Sequence, residues 1–436
     1  MPITDALHAY IPLQPAVKSS QARTGMCPKD DAKVMHFLVR CKFRCMICEY
    51  LRENYYLWNL YNEGMRRIIL GCVGSLMLNA CTSTKQSETM ENMYLLVGSY
   101  ATPQEEGIKV YAWDNEKGEA AYVSGLTGIS NPSYQVVSAD GERVYSVGED
   151  DGLTSTAHAL SFDKANGKLT LMNTQLTQGG APCYINITPN GKTVITANYV
   201  GANISMIPLE TSGRLSENVG TIAFEGGGIH ATRQTQPHLH CVEFTPDGKY
   251  LLANDLGTDK IHVFPLTAEG NLNKEKAFDI DLEPGSGPRH ICFSKDGRFA
   301  YLINEISGKV TALAYDGKGL IPIQYIESDT VNAQGSADIH LSPDGKFLYA
   351  SNRLKADGIA VFSVDNQTGL LAKVGYQLTG IHPRNFIITP DGRFLLVACR
   401  DSNLVQIFAR DEKTGLLVDT GKKIETSKPV CLKFVD

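Results

Sequence analysis

The chain has 436 residues, and several features that define common protein classes are missing from it. No stripe of lysines and arginines runs through it, its net charge is −6, and its pI is near 6.0. Nucleic acid is therefore not the main partner expected. Small anionic ligands stay open, because a few arginines focused in one channel bind them despite a negative total. Its most concentrated apolar run, Ile68–Met77, is too short to span a bilayer stably. There is no conventional metal-binding motif, and no cofactor is called for. Of the eleven cysteines, six lie at or before Cys81. The other five, Cys183, Cys241, Cys292, Cys399 and Cys431, each stand alone within a strand-like run. An odd set of isolated cysteines excludes a disulfide scaffold, and these five read as small buried hydrophobes.

What the chain does have is a returning phrase. It runs as a small residue and proline, a short apolar run, Ser/Thr-Pro-Asp-Gly-Lys/Arg, and a second apolar run ending in asparagine. Turn pairs fall at Asp140-Gly141, Asn190-Gly191, Asp247-Gly248, Asp296-Gly297, Asp344-Gly345 and Asp391-Gly392, spaced by 50, 57, 49, 48 and 47 residues. A period of this size built from short strands marks a β-propeller. Alternation in Pro237–Phe244 fits a strand. Thr245-Pro246-Asp247-Gly248 is a tight turn, in which proline fixes φ and glycine accepts a positive one. Tyr250–Asn254 and Lys260–Phe264 follow as second and third strands, with a less regular fourth.

The first strand recurs after Pro132, Pro182, Pro237, Pro288, Ala337 and Pro383. A seventh copy begins at Pro429, and the chain ends one strand into that blade. Strand-like runs at Tyr94–Gly98, Ile108–Ala112 and Ala121–Ser124 supply the missing three. The expected fold is all-β: a seven-bladed β-propeller over residues 93–436, its last blade closed by the C-terminal strand plus three N-terminal strands of the domain. Such closure leaves no free edge at the chain ends.

Residues 1–90 lack the repeat. Met65-Arg66-Arg67, the run Ile68–Met77 and Leu78-Asn79-Ala80-Cys81 have the order of a secretory signal. The Leu-x-Ala-Cys ending resembles a bacterial lipoprotein signal, with Cys81 the lipidation site, residues 65–81 the signal and 82–92 a polar tether. Translation is then expected to start at Met65, leaving residues 1–64 as a non-domain or mis-started extension. The expected location is the bacterial envelope, lipid-anchored through Cys81, or the cytoplasm if the internal signal is unused. Cys41-x3-Cys45-x2-Cys48 matches the spacing of a radical-SAM cluster motif. No α/β barrel pattern follows it, so no cluster is expected. The sequence is silent on oligomeric state.

Polar residues that break the repeat carry the functional reading. Near the starts of first strands and the ends of second strands lie His238, His240 and Asp255, then Arg289, His290 and Glu305, then Asp338 and Arg353, then Arg384 and Asn385. Ring geometry brings such positions to one mouth. The i, i+2 spacing of His238 and His240 puts both on one strand face. They read as a base with a binding residue, as two metal ligands, or as a structural polar pair. The arginines read as anion ligands or as inter-blade salt bridges.

Taken together, Gln236-Pro237-His238-Leu239-His240, Gly287-Pro288-Arg289-His290, Asn304-Glu305, Ser351-Asn352-Arg353 and His382-Pro383-Arg384-Asn385 closely resemble the seven-bladed lactonase family, over about residues 93–436. That family includes propeller 6-phosphogluconolactonases and carboxymuconate lactonising enzymes. The resemblance implies hydrolysis of a small anionic sugar lactone, such as 6-phospho-D-glucono-1,5-lactone. It implies His238 or His240, Arg289, Glu305 and Arg353 as catalytic residues; Arg384, His290, Asp255, Asp338 and Asn385, from their places in the repeat, are the expected substrate- and anion-binding residues. Asp338 departs from the glutamate of many relatives. A carboxymuconate-type lactonising isomerase and a non-catalytic envelope propeller binding a glycan or protein are the alternatives.

Overall fold

The structure is a computed structural model that describes residues 93–435. The leader, the Cys81 site and the Cys41–Cys48 spacing lie outside the described residues. The described chain forms seven four-stranded antiparallel sheets. Numbered from the first complete one, the blades begin at Gln135–Val137, Pro182–Ile187, Leu239–Phe244, Pro288–Phe293, Ser336–Leu341, Pro383–Ile388 and Pro429–Val435. Each of these first strands packs against the first strand of the next blade, right round the ring, so they line a central channel. In blade 7, Pro429–Val435 pairs with Tyr94–Ser99, followed by Ile108–Asp114 and Glu119–Leu126.

Second and third strands are mostly apolar and largely buried because neighbouring blades sandwich them. Tyr301, Ile303 and Val310 of blade 4 pack on Leu348, Ala350 and Phe362 of blade 5. Leu95 and Val97 of blade 7 pack on Leu396, Val405 and Ile407 of blade 6. Each such side chain contributes about 1.5–3 kcal/mol.

The returning turn joins first to second strands. In Thr245–Tyr250, the Thr245 hydroxyl donates to Asp247 (2.8 Å) and accepts from the Tyr250 amide (3.1 Å), and Asp247 accepts from the Lys249 amide (3.2 Å). Gly248 takes φ +66°, where a side chain would be strained. The same set recurs at Ser294–Phe299, Ser342–Phe347 and Thr389–Phe394. These turns occupy one end of the strands, so the mouth lies at the other.

Register corrects two expectations. Pro288 pairs with Asn304, Pro383 with Cys399 and Pro182 with Asn198. In blade 3 the residue at this position is Leu239, paired with Asp255, and in blade 5 it is Ser336, paired with Asn352. The first strands therefore do not start after Pro237 or Ala337. His240, not His238, is the counterpart of Arg289, and Asp255 is the counterpart of Asn304 rather than of Glu305. The cause is the longer connection into blade 3, which places Pro237 two residues ahead of the repeat's proline.

Candidate active site

The mouth is built by one backbone device. In six blades the register slips just after the first strand begins: at Pro182/Tyr184, Leu239/Cys241, Pro288/Ile291, Ser336/Ile339, Pro383/Asn385, and opposite Gly98/Ser99. A bulge leaves a residue unpaired and re-aims it. The residues that follow the starting position are Cys183, His240, Arg289, Ala337, Arg384 and Val430. A second ring comes from the residue eight places after each turn glycine, where the second strand ends: Glu149, Tyr199, Leu256, Glu305, Arg353 and Arg400.

Glu305 is the centre of one cluster. Its Oε2 accepts from Arg289 Nε (2.9 Å) and lies 3.2 Å from Arg353 Nη2 and 4.0 Å from His240 Nε2. Its Oε1 accepts from Arg233 Nη2 at 2.5 Å. Burial pushes the Glu305 carboxyl up, but Arg353, Arg289 and Arg233 outweigh it and hold the group at about 2. Arg289 is also held by the Ala337 carbonyl (2.6 Å), and Arg353 by the Gly335 carbonyl (2.7 Å). Their side chains are 1% and 6% exposed, whereas Arg233 is 34% exposed and is the most accessible of the three guanidiniums.

The two histidines differ in their surroundings. His240 is buried in the channel, with Nδ1 at 3.7 Å from Cys183 Sγ. Burial, and then the charge of Arg289, hold it well below the usual imidazole range, so it is neutral. His238 is half-buried at the rim and stacks on Tyr199, with ring centres 4.2 Å apart. Its Nδ1 lies 2.8 Å from the Tyr199 carbonyl. A carbonyl only accepts, so Nδ1 carries a proton, and Nε2 is the nitrogen that can exchange one.

One layer deeper, Arg289 Nη1 donates to His290 Nε2 (3.3 Å) and His290 Nδ1 donates to Asp338 (2.7 Å). Burial and Arg289 pull His290 down to about 3. Asp338 is buried and also takes His340 Nε2 (3.0 Å), the Phe386 amide (3.2 Å) and Asn385. A cavity of about 10 Å³ between Cys183, Arg289, His290, Arg384 and Asn385 separates this layer from the mouth, room for roughly one water.

Of the residues singled out in the sequence, His240, Arg289, Glu305 and Arg353 thus converge, with His238 at their rim. His290, Asp338 and Asn385 support them from below. Arg384 lies with Glu149, at 3.8 Å, rather than with Glu305. Asp255 does not reach the mouth. It is fully buried and holds the blade-3 loop, accepting from the His238 and Gly257 amides (2.7 and 2.9 Å) and the Thr258 hydroxyl (2.7 Å). Among the described residues, no group of three or more His, Cys, Asp or Glu side chains converges as a metal site.

Sequence reading missed Arg233, Glu149, Tyr100 and Ser133. Arg233 sits on the connection between Gly220–Ala223 and Leu239–Phe244, outside any repeat. Glu149 was detectable: it stands eight residues after Gly141, as Glu305 does after Gly297.

Comparison with known proteins agrees with this architecture. The profile of the family described as Lactonase, 7-bladed beta-propeller, matches residues 94–434. A 6-phosphogluconolactonase of Formosa agariphila is 39% identical over 331 residues, covering 74% of this chain and 94% of its own length. One of Bacillus subtilis is 35% identical over 346 residues, covering 78% and 97%. Among solved structures, a Bacteroides fragilis propeller is 54% identical with a TM-score of 0.77, covering 81% of this chain and all of its own. The periplasmic gluconolactonase of Pseudomonas aeruginosa is 34% identical with a TM-score of 0.74, covering 79% and 99%. The chain belongs to the seven-bladed β-propeller lactonase family.

Proposed function

We propose that the mouth hydrolyses the ring ester of a sugar δ-lactone, 6-phospho-D-glucono-1,5-lactone, to the open-chain 6-phosphogluconate. The observation that carries this reading is the convergence of three guanidiniums on Glu305, with His238 at the rim held through Nδ1 by the Tyr199 carbonyl. The names of the Formosa and Bacillus relatives support the substrate. Three guanidiniums against one carboxylate leave an excess of positive charge, which suits an anionic substrate and a developing oxyanion.

In this mechanism His238 Nε2 takes a proton from water as the water oxygen bonds to the lactone carbonyl carbon. The carbonyl oxygen gains the charge, and the arginine cluster stabilises it. When the carbon–oxygen bond of the ring breaks, the imidazolium returns its proton to the leaving ring oxygen. Glu305 keeps Arg289 and Arg353 in place, and Arg233, the accessible guanidinium, receives the phosphate. Lactones open readily in water, so modest acceleration suffices.

A lipid anchor at Cys81 would place the propeller in the envelope. A phosphorylated intermediate of the pentose phosphate pathway belongs in the cytosol, so this location favours an unphosphorylated lactone. The periplasmic gluconolactonase of Pseudomonas aeruginosa supports that second reading. One assay separates them: residues 82–436, free of lipid, with 6-phosphogluconolactone, glucono-1,5-lactone and carboxymuconate, corrected for spontaneous opening. The first reading expects preference for the phosphorylated lactone, and the second expects comparable rates on both. Carboxymuconate turnover alone overturns both. In the same assay His238→Gln lowers kcat about 100-fold, and undiminished kcat removes His238 as the base.

A further inference from the structure

Opposite the Glu305 cluster, the mouth carries a second carboxylate with a different set of partners. Glu149 Oε1 accepts from the Tyr100 hydroxyl at 3.0 Å, and its Oε2 accepts from the Ser133 hydroxyl. Arg384 lies across it with Nη2 at 3.8 Å, its guanidinium 5.4 Å from the centre of the Tyr100 ring. The Glu149 and Arg384 side chains are each 15% exposed, so both are reachable from the mouth. Glu149 and Glu305 hold the same repeat position in blades 1 and 4, and Arg384 and Arg289 hold the same bulge position in blades 6 and 4.

The difference lies in charge balance and in unused hydrogen-bonding capacity. Around Glu305, three guanidiniums face one carboxylate. Around Glu149, one faces one, and the region is close to neutral. A carboxylate has about four lone-pair sites, and Glu149 has two filled by hydroxyl donors. Arg384 makes no hydrogen bond within 3.5 Å to any described residue, so its donors are unspent. Burial raises the Tyr100 phenol, which therefore stays protonated and a donor. An acceptor pair beside unspent donors, without excess charge, matches neutral hydroxyl groups. Each hydroxyl both donates and accepts.

We infer that Glu149 and Arg384, with Tyr100 and Ser133 holding the carboxylate, form a hydroxyl-recognising subsite that selects polyhydroxylated lactones and orients them with the ester toward His238 and the Glu305 cluster. This rests on the lactonase reading and names its specificity determinant. A site built to bond a substrate hydroxyl rejects the analogue that lacks it, because its own polar groups are left unpaired.

The test compares glucono-1,5-lactone with δ-valerolactone, which has the same ring and no hydroxyls, in the full-length protein and in Glu149→Gln and Arg384→Met. The measured quantity is the ratio of kcat/KM between the two lactones. Glu149→Gln is expected to lower this ratio roughly 10-fold or more, Arg384→Met to do the same, and the gluconolactone loss to fall mainly in KM. A ratio unchanged within twofold in both variants overturns the subsite, whatever the absolute rates do. Should the unaltered protein open neither these two lactones nor 6-phosphogluconolactone faster than buffer, the lactonase reading fails by itself. The subsite is then read by calorimetric binding of D-gluconate against pentanoate: a preference for gluconate that Glu149→Gln abolishes sustains it, and equal binding overturns it.

Discussion

The two ends of the innermost strands are held in opposite ways. At the turn end one bonding pattern repeats: a hydroxyl, an aspartate two residues on, and a glycine at positive φ. At the mouth end the backbone repeats a bulge while the side chain it presents changes from blade to blade: Cys183, His240, Arg289, Ala337, Arg384, Val430. Each turn aspartate is met first by amides and hydroxyls within a few residues, and Asp247, Asp344 and Asp391 take in addition one group from the next blade, Tyr315, Arg410 and Asn115. Mouth carboxylates are met by groups from other blades, as Glu305 is by Arg353 and Glu149 by Arg384. Local bonding shapes each turn, and at Asp296 it is all the aspartate has. Bonding across blades makes the mouth one interdependent unit, and that is where substitution has the widest effect.

The largest expected effect follows from Glu305. Glu305→Ala leaves Arg289 and Arg353 buried without their counter-charge, which costs about 3–5 kcal/mol. It also frees the arginines from their positions, and kcat falls at least about 100-fold. Urea unfolding and the lactone assay measure the two. Glu305→Gln keeps the shape and is expected to recover part of the stability but little of the rate. Full activity in both variants would mean that the mouth does not act as a unit.

Acid separates the two ends next. Folded His290 holds a value of about 3, whereas an unfolded imidazole titrates near 6.5. Between these values the unfolded chain binds the extra proton, so the stability due to neutral His290 is complete above pH 6.5 and falls as pH drops toward 3. By pH 4.5 roughly 2–3 kcal/mol is lost through this group. His240 and His382, also pulled down by burial, act in the same direction. Turn carboxylates such as Asp296, held at about 2, begin to matter only below their ordinary value of 3.8. Thermal unfolding between pH 7 and pH 4.5 should therefore report the mouth end, and His290→Gln should flatten that slope. An unchanged slope would assign the acid response to other groups.

How far the sequence could be read follows the same division. The Ser/Thr-Pro-Asp-Gly turns are local, so their spacing revealed the blade count, and the Pro429 strand with Tyr94–Ser99 revealed the closure. His240, Arg289, Glu305 and Arg353 stood out against that background. What escaped depends on register and on long-range approach. His238 and His240 looked equivalent until pairing placed Leu239 at the proline position. Arg233 reaches Glu305 across 72 residues from a connection without any repeat to mark it. Asp255 looked like a mouth acid, yet its carboxylate is used by its own loop. Glu149 follows glycine rather than asparagine, which hid its equivalence to Glu305.

The smallest effect belongs to a turn. Asp296 accepts from the Ser294 hydroxyl (2.7 Å) and the Arg298 amide (3.1 Å), and pairs with the Arg298 guanidinium at 2.7 Å. All three partners lie within two residues, and the side chain is 48% exposed. When Asp296→Ala removes the carboxylate, water can reach the donors left behind. The loss should be about 1 kcal/mol, a shift of a few degrees in thermal midpoint. Because the Phe299 amide still bonds to the Ser294 hydroxyl (3.0 Å), the hairpin keeps its register. The strand Phe299–Asn304 then delivers Glu305 to the same place, and kcat and KM for the lactone should match those of the unaltered protein. A loss of activity comparable to that of a mouth variant would show that turn and mouth are coupled along this strand, and the contrast between a locally satisfied end and an interdependent one would fail.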